Sequence, residues 1–186
     1  MMPDRVLRIF TTVLIALATG ACATRNMLPD GAGAKAMLGG NDPVSYQTGP
    51  SPARGDPAIT AEWDGGLYRF TNVSNRAEFL KSPGRYAPQY GGYCANGAPY
   101  SILLGGSADT YKVVDDRLFM FSGPDSKKYW EMDQARNMKL GDEYWASEMK
   151  DTSSAFVHSY RRILFKVPHY KTGKELEAEW QARQKK

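Results

Sequence analysis

The chain has 186 residues, of which 42% are hydrophobic, 24% charged and 12% aromatic, and its formal net charge is +4. This composition fits one globular domain with appended segments and excludes a fully disordered or collagen-like chain. With two Cys and two His, the chain cannot build a zinc finger, an iron–sulfur cluster or a disulfide-rich scaffold by itself.

Residues 1–21 are predicted to be a signal peptide. Arg5 and Arg8 precede an apolar stretch over 9–21, which is shorter than the about 20 residues of a membrane-spanning helix. Small residues directly before Cys22 resemble the lipobox of bacterial lipoproteins, in which the cysteine thiol carries a diacylglycerol. The alternatives are cleavage without lipidation, giving a secreted periplasmic protein, and a permanent anchor helix. Ala23, in a place where Asp would signal retention, favours the outer membrane.

Residues 22–39 are predicted to be a flexible tether, because they are small and polar and include Gly31 and Gly33. The ordered domain is expected to begin near Gly40.

At the other end, residues 161–186 hold eight Lys or Arg against three Glu. This basic segment either faces anionic lipid or an acidic partner, or is a solvated amphipathic helix. A nucleic-acid partner is not expected for an exported protein.

Two β-hairpins are predicted from alternating apolar residues. The first pairs 58–63 with 67–70 around a turn at Asp64, and the second pairs 111–114 with 118–121 around 115–117. We find no internal repeat in the sequence. The elements predict an α+β fold, in which a small antiparallel sheet built from two hairpins packs against short helices.

A helix is predicted after each hairpin. Ser74 or Asn75 is expected to cap the first, which Pro83 ends, and Ser122 is expected to cap the second. Further along, Gly141 is expected to interrupt a helical segment, and 163–167 is either a strand or a buried linker. A capping box of Thr172 and Glu175 predicts a final helix in a C-terminal extension, 134–186.

Five segments in this order resemble the exported bacterial branch of the YHS-domain family. The resemblance covers about residues 38–133, and we take 40–133 as a YHS-like domain. The matching segments are Gly40-Asn41-Asp42-Pro43-Val44, Ala61-Glu62-Trp63, Tyr68-Arg69-Phe70, Asn75-Arg76-Ala77-Glu78-Phe79 and the long run from Pro83 to Ala95.

The resemblance implies a small α+β module, of a kind found beside metal transporters and oxygenases and proposed to bind heavy metals. Metal-type members place cysteines at the position of Ser45 and near those of Thr71 and Asn75. None of these residues is a cysteine in this chain, so the cluster of soft ligands that zinc or copper prefers is missing.

Cys94 is the sharpest candidate for chemistry, because it follows Gly91, Gly92 and Tyr93 in a glycine-rich loop. It is a candidate ligand for a soft metal ion such as copper, with Tyr90, Gly91, Gly92 and Tyr93 as the surrounding ligand surface. The alternatives are a thiol that exchanges with an outside thiol and a buried small hydrophobe.

No nucleophile elbow, phosphate loop or zinc-protease motif appears, so we predict no catalytic residue and no certain cofactor. His158 and His169 have no ligand-type neighbours in the sequence, and the methionines (Met120, Met132, Met138 and Met149) have core-like spacing.

The leading hypothesis is a lipid-anchored binding module of the cell envelope, for a metal ion, a small ligand or an envelope protein. The alternatives are a thiol-dependent redox protein or sensor and a structural lipoprotein without ligand.

Overall fold

The structure, a computed structural model, describes residues 25–31, 33–151, 167 and 169–185. Its architecture is α+β, as predicted, with each antiparallel hairpin forming its own two-stranded sheet. The strands are β1 (Met27–Pro29), β2 (Lys35–Met37), β3 (Asp56–Trp63), β4 (Gly66–Phe70), β5 (Ser107–Val114) and β6 (Arg117–Phe121). The helices are α1 (Ser45–Thr48), α2 (Val73–Lys81), α3 (Pro83–Tyr86), α4 (Pro124–Glu131), α5 (Gln134–Tyr144) and α6 (Gly173–Gln184).

Several predictions concern residues outside the described ranges, namely the signal peptide over 1–21, Cys22, His158 and all but the last residue of the 163–167 segment. Within the described ranges, no helix combines the length and apolar character needed to cross a bilayer.

The two predicted hairpins form with one shared register. Asp56 pairs with Phe70 and Thr60 with Arg69 in the first, and the bulge in β3 lies between these two pairs. In the second hairpin the pairs are Ser107 with Phe121 and Tyr111 with Met120, again with the bulge between them. Positions 56 and 107, 60 and 111, 69 and 120, and 70 and 121 are each 51 residues apart. The second hairpin therefore repeats the first, bulge included.

The repeat extends on both sides of the hairpins, so the expectation that the chain has no internal repeat is wrong. Helices α2 and α4 begin at 73 and 124, again 51 residues apart. Before the hairpins, the left-handed turn of Leu38, Gly39 and Gly40 (φ 57°, 60° and 83°) recurs at Tyr90, Gly91 and Gly92 (φ 54°, 59° and 81°). Few residue identities survive between the units; Asp64, Leu67 and Phe70 recur as Asp115, Leu118 and Phe121.

Each repeat unit has its own aromatic core, centred on one ring from the helix. Phe79 of α2 packs on Tyr68 and Phe70, with ring centroids 4.7 and 5.3 Å away. At the equivalent place in the second unit, Trp130 of α4 packs on Phe119 and Phe121 at 5.1 and 5.4 Å. Phe79 and Trp130 are fully buried, and burial of one such ring contributes about 3 kcal/mol.

Three predicted helix boundaries differ from the structure. Asn72, rather than Ser74 or Asn75, caps α2 by accepting a hydrogen bond from the Asn75 N–H. Gly123, rather than Ser122, occupies the N-cap of α4, whose first turn holds the proline. Helix α5 continues through Gly141, where a Cβ atom would lie 2.6 Å from the Tyr90 hydroxyl. This glycine thus permits close packing instead of ending the helix.

The described part of the predicted tether is ordered, so that prediction is wrong for residues 25–31 and 33–39. We call residues 25–31 and 33–37 the strap. Its strands β1 and β2 form a third hairpin, and Met37 is fully buried in the first core. The Asn26 side chain donates to the carbonyls of Gly92 (2.9 Å) and Gly106 (3.0 Å). Asp30 and Arg69 form an ion pair in which both side chains are buried. Long-range contacts of this kind fix a segment whose own composition is that of a linker.

Helix α6 forms with the predicted capping box, in which Thr172 and Glu175 satisfy each other's backbone N–H groups. It lies against α4 through polar contacts centred on Glu177, which accepts from Lys128 (2.8 Å) and from the Tyr129 hydroxyl (2.7 Å). The Lys128 ammonium also lies 4.3 Å from the centroid of the Trp180 ring. The Lys128 ammonium, with help from Gln181 and Tyr129, lowers the pKa of Glu177 to about 2.

We predict that docking of α6 weakens in acid. The pKa of Glu177 in the folded chain lies below its ordinary value of 4.5, so its contribution is complete above pH 4.5 and is lost as pH falls toward 2. The emission of Trp180 should shift in this interval. Glu177→Gln should remove the shift, whereas Lys174→Gln, at an exposed position of the same helix, should keep it. An unchanged acid transition in Glu177→Gln would contradict this assignment.

Candidate ligand-binding site

The structure brings together Ser45, Thr71 and Asn75, the residues at or near which the YHS resemblance implies cysteines in metal-type members, and it does so around Asp42. The Ser45 hydroxyl donates to the Asp42 carbonyl at 2.6 Å. The Thr71 hydroxyl and the Asn75 amide both donate to Oδ2 of the Asp42 carboxylate at 2.7 Å. The turn before α1 and the loop between β4 and α2 are therefore joined through one carboxylate.

This cluster works as a hydrogen-bonded joint. The Asp42 carboxylate is fully buried and also accepts from the backbone N–H groups of Val44 (2.9 Å) and Thr71 (2.8 Å). Its oxygens thus face N–H and O–H hydrogens, which occupy the directions that a cation would need. Elsewhere in the described part of the chain, no group of three or more His, Cys, Asp and Glu residues is placed to hold a metal ion.

We predict that Asp42→Ala lowers the free energy of unfolding by about 3 kcal/mol, because it leaves several buried donors without an acceptor. Urea denaturation followed by far-UV circular dichroism measures the change. The control is Asp109→Ala at an exposed strand position, which should cost less than about 0.5 kcal/mol. An Asp42→Ala protein as stable as the parent would show that the joint contributes little.

Cys94 occupies, in the second repeat unit, the place that Asp42 has in the first. The backbone N–H of Asp42 donates to Ala53 O, and that of Cys94 donates to Leu104 O, both at 2.8 Å. The Cys94 thiol contacts the Ser122 hydroxyl at 3.6 Å, and Ser122 in turn contacts Ser126 at 2.6 Å. The second unit therefore repeats the joint with weaker hydrogen-bonding groups.

The prediction of an exposed ligand surface around Cys94 is wrong. Cys94 is fully buried, Tyr90 is 3% exposed, and Gly91 and Gly92 are buried, while Tyr93 is half-buried. At the glycine turn, the strap provides the cover. Asn26 bonds to the carbonyls of Gly91 and Gly92 and covers this turn. The thiol lies in the aromatic core of the second unit, so a metal ion or another thiol has no open route to it.

We predict that Cys94 in the native chain reacts with iodoacetamide roughly a hundredfold or more slowly than in guanidinium chloride, because alkylation must wait for local opening. The measurement uses the full chain with Cys22→Ser, so that Cys94 is the one thiol present. A matched control adds Cys94→Ser and Ser122→Cys, which moves the thiol one contact outward to an exposed position. Equal reaction rates for these two proteins would contradict the burial of Cys94.

One concave surface among the described residues lies where the strap meets the first hairpin. A cleft of about 190 Å³ has walls from Trp63, Tyr68, Tyr90 and Trp145, with Arg25 among its lining residues. We call it the strap cleft. Desolvation by burial raises the pKa of Tyr90, and the neighbouring Asp142 carboxylate raises it further. Desolvation also raises the pKa of Tyr68. Both phenols therefore stay neutral and serve as walls.

Arg25 is the cationic group among the residues that line the strap cleft. Sequence reasoning missed it, because Arg25 lies in the predicted tether. Its side chain is 2% exposed and pairs with Asp64, whose side chain is 41% exposed at the turn of the first hairpin. The guanidinium carbon also lies 5.7 Å from the centroid of the Trp145 ring. The cleft thus holds a buried cation, neutralised by a carboxylate at its mouth. The apolar pair Met37-Leu38, further along the same predicted tether, was the available sequence signal that this segment is not a linker.

A second, larger depression shares Trp63 and Asp64 with the strap cleft, and we call it the hairpin groove. It has a volume of about 550 Å³ and is lined by Met27 and Lys35 of the strap and by Glu62, Trp63, Asp64 and Leu67 of the first hairpin. Lys35 and Glu62 are exposed, and 36% of the Met27 surface is exposed. The groove therefore combines exposed charges of both signs (Lys35, Glu62 and Asp64), which we call its rim, with the apolar side chains of Met27, Trp63 and Leu67, which we call its floor.

Comparisons of the chain with protein-family models, with curated proteins and with solved structures gave no match.

Proposed function

We propose that this protein is an exported, lipid-anchored binding module of the bacterial cell envelope, related to the YHS-domain family, and that it binds its ligand at the strap face. The strap face comprises the strap cleft and the hairpin groove. The observation that carries the proposal is that both depressions are lined in part by residues shortly after the predicted lipidation site, Cys22, namely Arg25 in the strap cleft and Met27 and Lys35 in the hairpin groove.

The chemistry of the strap face supports binding rather than catalysis. The residues that line the strap cleft include no Ser, Thr, Cys, His or Lys, so they offer no nucleophile–base pair. Its one guanidinium is already held by Asp64. What the two depressions do offer is aromatic and apolar surface with a few fixed charges, which is the usual make-up of a small-molecule site.

Ser45, Thr71 and Asn75 all bond to Asp42. This supports the resemblance to YHS proteins, because the resemblance implies a cluster of cysteine ligands at or near these three residues. It also argues against a heavy-metal function for this chain, since the sulfur ligands are replaced by hydroxyl and amide groups that bond to a carboxylate.

The basic C-terminal segment is a weaker candidate for a membrane-facing surface. In the described part of it, Arg183 pairs with Asp133 at 2.9 Å and with Glu179 at 2.7 Å, and Lys171 pairs with Glu179 as well. These cations are used in contacts with the domain and within the helix. We assign the membrane-facing role to the strap face instead, because the strap begins three residues after Cys22 in the sequence.

We predict that Cys22→Ser abolishes lipid attachment and releases the protein from the membrane. The full chain is expressed with its own signal peptide in a Gram-negative host, labelled with a palmitate analogue, and separated into soluble, inner-membrane and outer-membrane fractions. The parent should carry the label in the outer membrane. Cys94→Ser is the matched control, because it also removes one cysteine, and it should behave as the parent does. Label on Cys22→Ser, or none on the parent, would refute the anchor.

A further inference from the structure

We propose that the hairpin groove binds the headgroup of an aminophospholipid of the phosphatidylethanolamine type, drawn from the membrane that holds the anchor. The domain then rests with its strap face on the bilayer surface. This inference deepens the proposed function and rests on it, because the lipid on Cys22 brings the groove to the membrane.

The length of chain between the anchor and the domain limits where the groove can be. Arg25 is fixed through its ion pair with Asp64, and Asn26 through three hydrogen bonds to the carbonyls of Gly91, Gly92 and Gly106. Only residues 23 and 24 separate Arg25 from Cys22. Three residues of fully extended chain span about 10 Å, so a lipid on Cys22 holds Arg25 within that distance of the headgroup region.

The hairpin groove lies directly beside this point. Asp64, the partner of Arg25, also lines the groove, as does Met27, two residues further along the strap. A bilayer that holds the Cys22 acyl chains is therefore close to the groove, whereas α6 packs on α4 of the other repeat unit through Lys128 and Tyr129.

The charges on the rim match a zwitterion. Lys35 supplies one exposed cation and Glu62 one exposed anion, and the remaining rim charge, Asp64, is balanced by Arg25. A headgroup phosphate fits beside Lys35, and a primary ammonium can donate hydrogen bonds to Glu62. A purely anionic headgroup leaves Glu62 opposed by like charge, and a choline headgroup has no N–H to donate. The rim thus favours an aminophospholipid over both.

The floor of the groove suits the region just below the headgroups. Met27, Trp63 and Leu67 provide apolar surface beside the charged rim, and tryptophan is the residue most typical of the membrane–water interface. Shallow insertion of such a surface adds hydrophobic binding to the headgroup contacts. The groove volume of about 550 Å³ lies within the range of small-molecule sites.

The first experiment locates the membrane-facing surface of the lipidated protein. The full mature lipoprotein is reconstituted into vesicles of phosphatidylethanolamine and phosphatidylcholine whose acyl chains are brominated near the headgroup, and tryptophan quenching is measured. Quenching should fall in Trp63→Phe, leaving the share of Trp145, which also lines the strap face, and should stay at the parent level in Trp180→Phe, a matched variant on α6. Parent-level quenching in Trp63→Phe, or loss of quenching in Trp180→Phe, would overturn the proposal.

The second experiment tests the headgroup without using the anchor. The mature chain, residues 22–186 with Cys22→Ser, is sedimented with vesicles of phosphatidylcholine alone, or with added phosphatidylethanolamine or phosphatidylglycerol. Binding should be strongest with phosphatidylethanolamine. Lys35→Gln should weaken it about fivefold, and Lys174→Gln, the control on α6, should leave it unchanged. Equal binding to phosphatidylcholine alone, or a preference for phosphatidylglycerol, would overturn the proposal.

The two experiments separate failure of the inference from failure of the proposed function. If the parent carries no lipid on Cys22, the anchored function fails, and sedimentation of the unlipidated chain still decides whether the groove recognises the headgroup. If the parent is lipidated but Trp63 is not quenched, the anchor stands and the groove proposal is wrong. Lys35→Gln changes an exposed side chain, so its result does not depend on any rearrangement of the core by Trp63→Phe.

Discussion

Every sheet in the described part of this protein has two strands, and a two-stranded hairpin is at best marginally stable in water. This constraint shapes the rest of the structure, because each hairpin must be covered by another element. In the two repeat units the cover is the following helix, which places Phe79 or Trp130 on the apolar face of its hairpin. The strap hairpin has no such helix. It is stabilised by the first repeat unit, into which it inserts Met37.

The two repeat units have equivalent polar joints, and these joints differ in strength because their side chains differ. The first unit is joined by the Asp42 carboxylate, which can accept several hydrogen bonds at once, and charge-assisted bonds of this kind are short and strong. At the same place the second unit has Cys94, whose sulfur forms one long contact with Ser122. The second unit is held instead by the larger ring of Trp130 and by α5, whose Asn137 donates to the Trp130 carbonyl at 2.9 Å. The same backbone arrangement is thus stabilised by different side chains in the two units, and Cys94 is one of the buried residues that stabilise the second.

Local patterns were enough to predict the two main hairpins, the helices that follow them and the capping box of Thr172 and Glu175. Each of these depends on residues within about ten positions of one another. The strap could not be predicted in this way, because its strands have three residues each and depend on partners such as Arg69, far along the chain. The repeat stayed hidden because its units share a register rather than residues. The candidate site was missed for the same reason: it joins the strap to the first hairpin, and neither part signals binding alone.

Because the strap supplies one wall of the hairpin groove and part of the first core, the binding that we propose for this groove would be coupled to the stability of the fold. Met27 and Lys35 line the groove, while Met37, at the end of the same hairpin, is buried beside Gly66, where a Cβ atom would lie 2.6 Å from the Met37 side chain. A molecule that contacts both the strap and Trp63 must favour the docked strap over the detached one, and binding to the native arrangement alone raises its stability by mass action. Conversely, pulling on the chain ahead of Arg25 acts first on the Arg25–Asp64 pair and on Asn26, and only then on the core. The strap is therefore a structural part of the domain. In the anchored protein that we propose, the contacts of Arg25 and Asn26 set how firmly the strap face is held at the membrane.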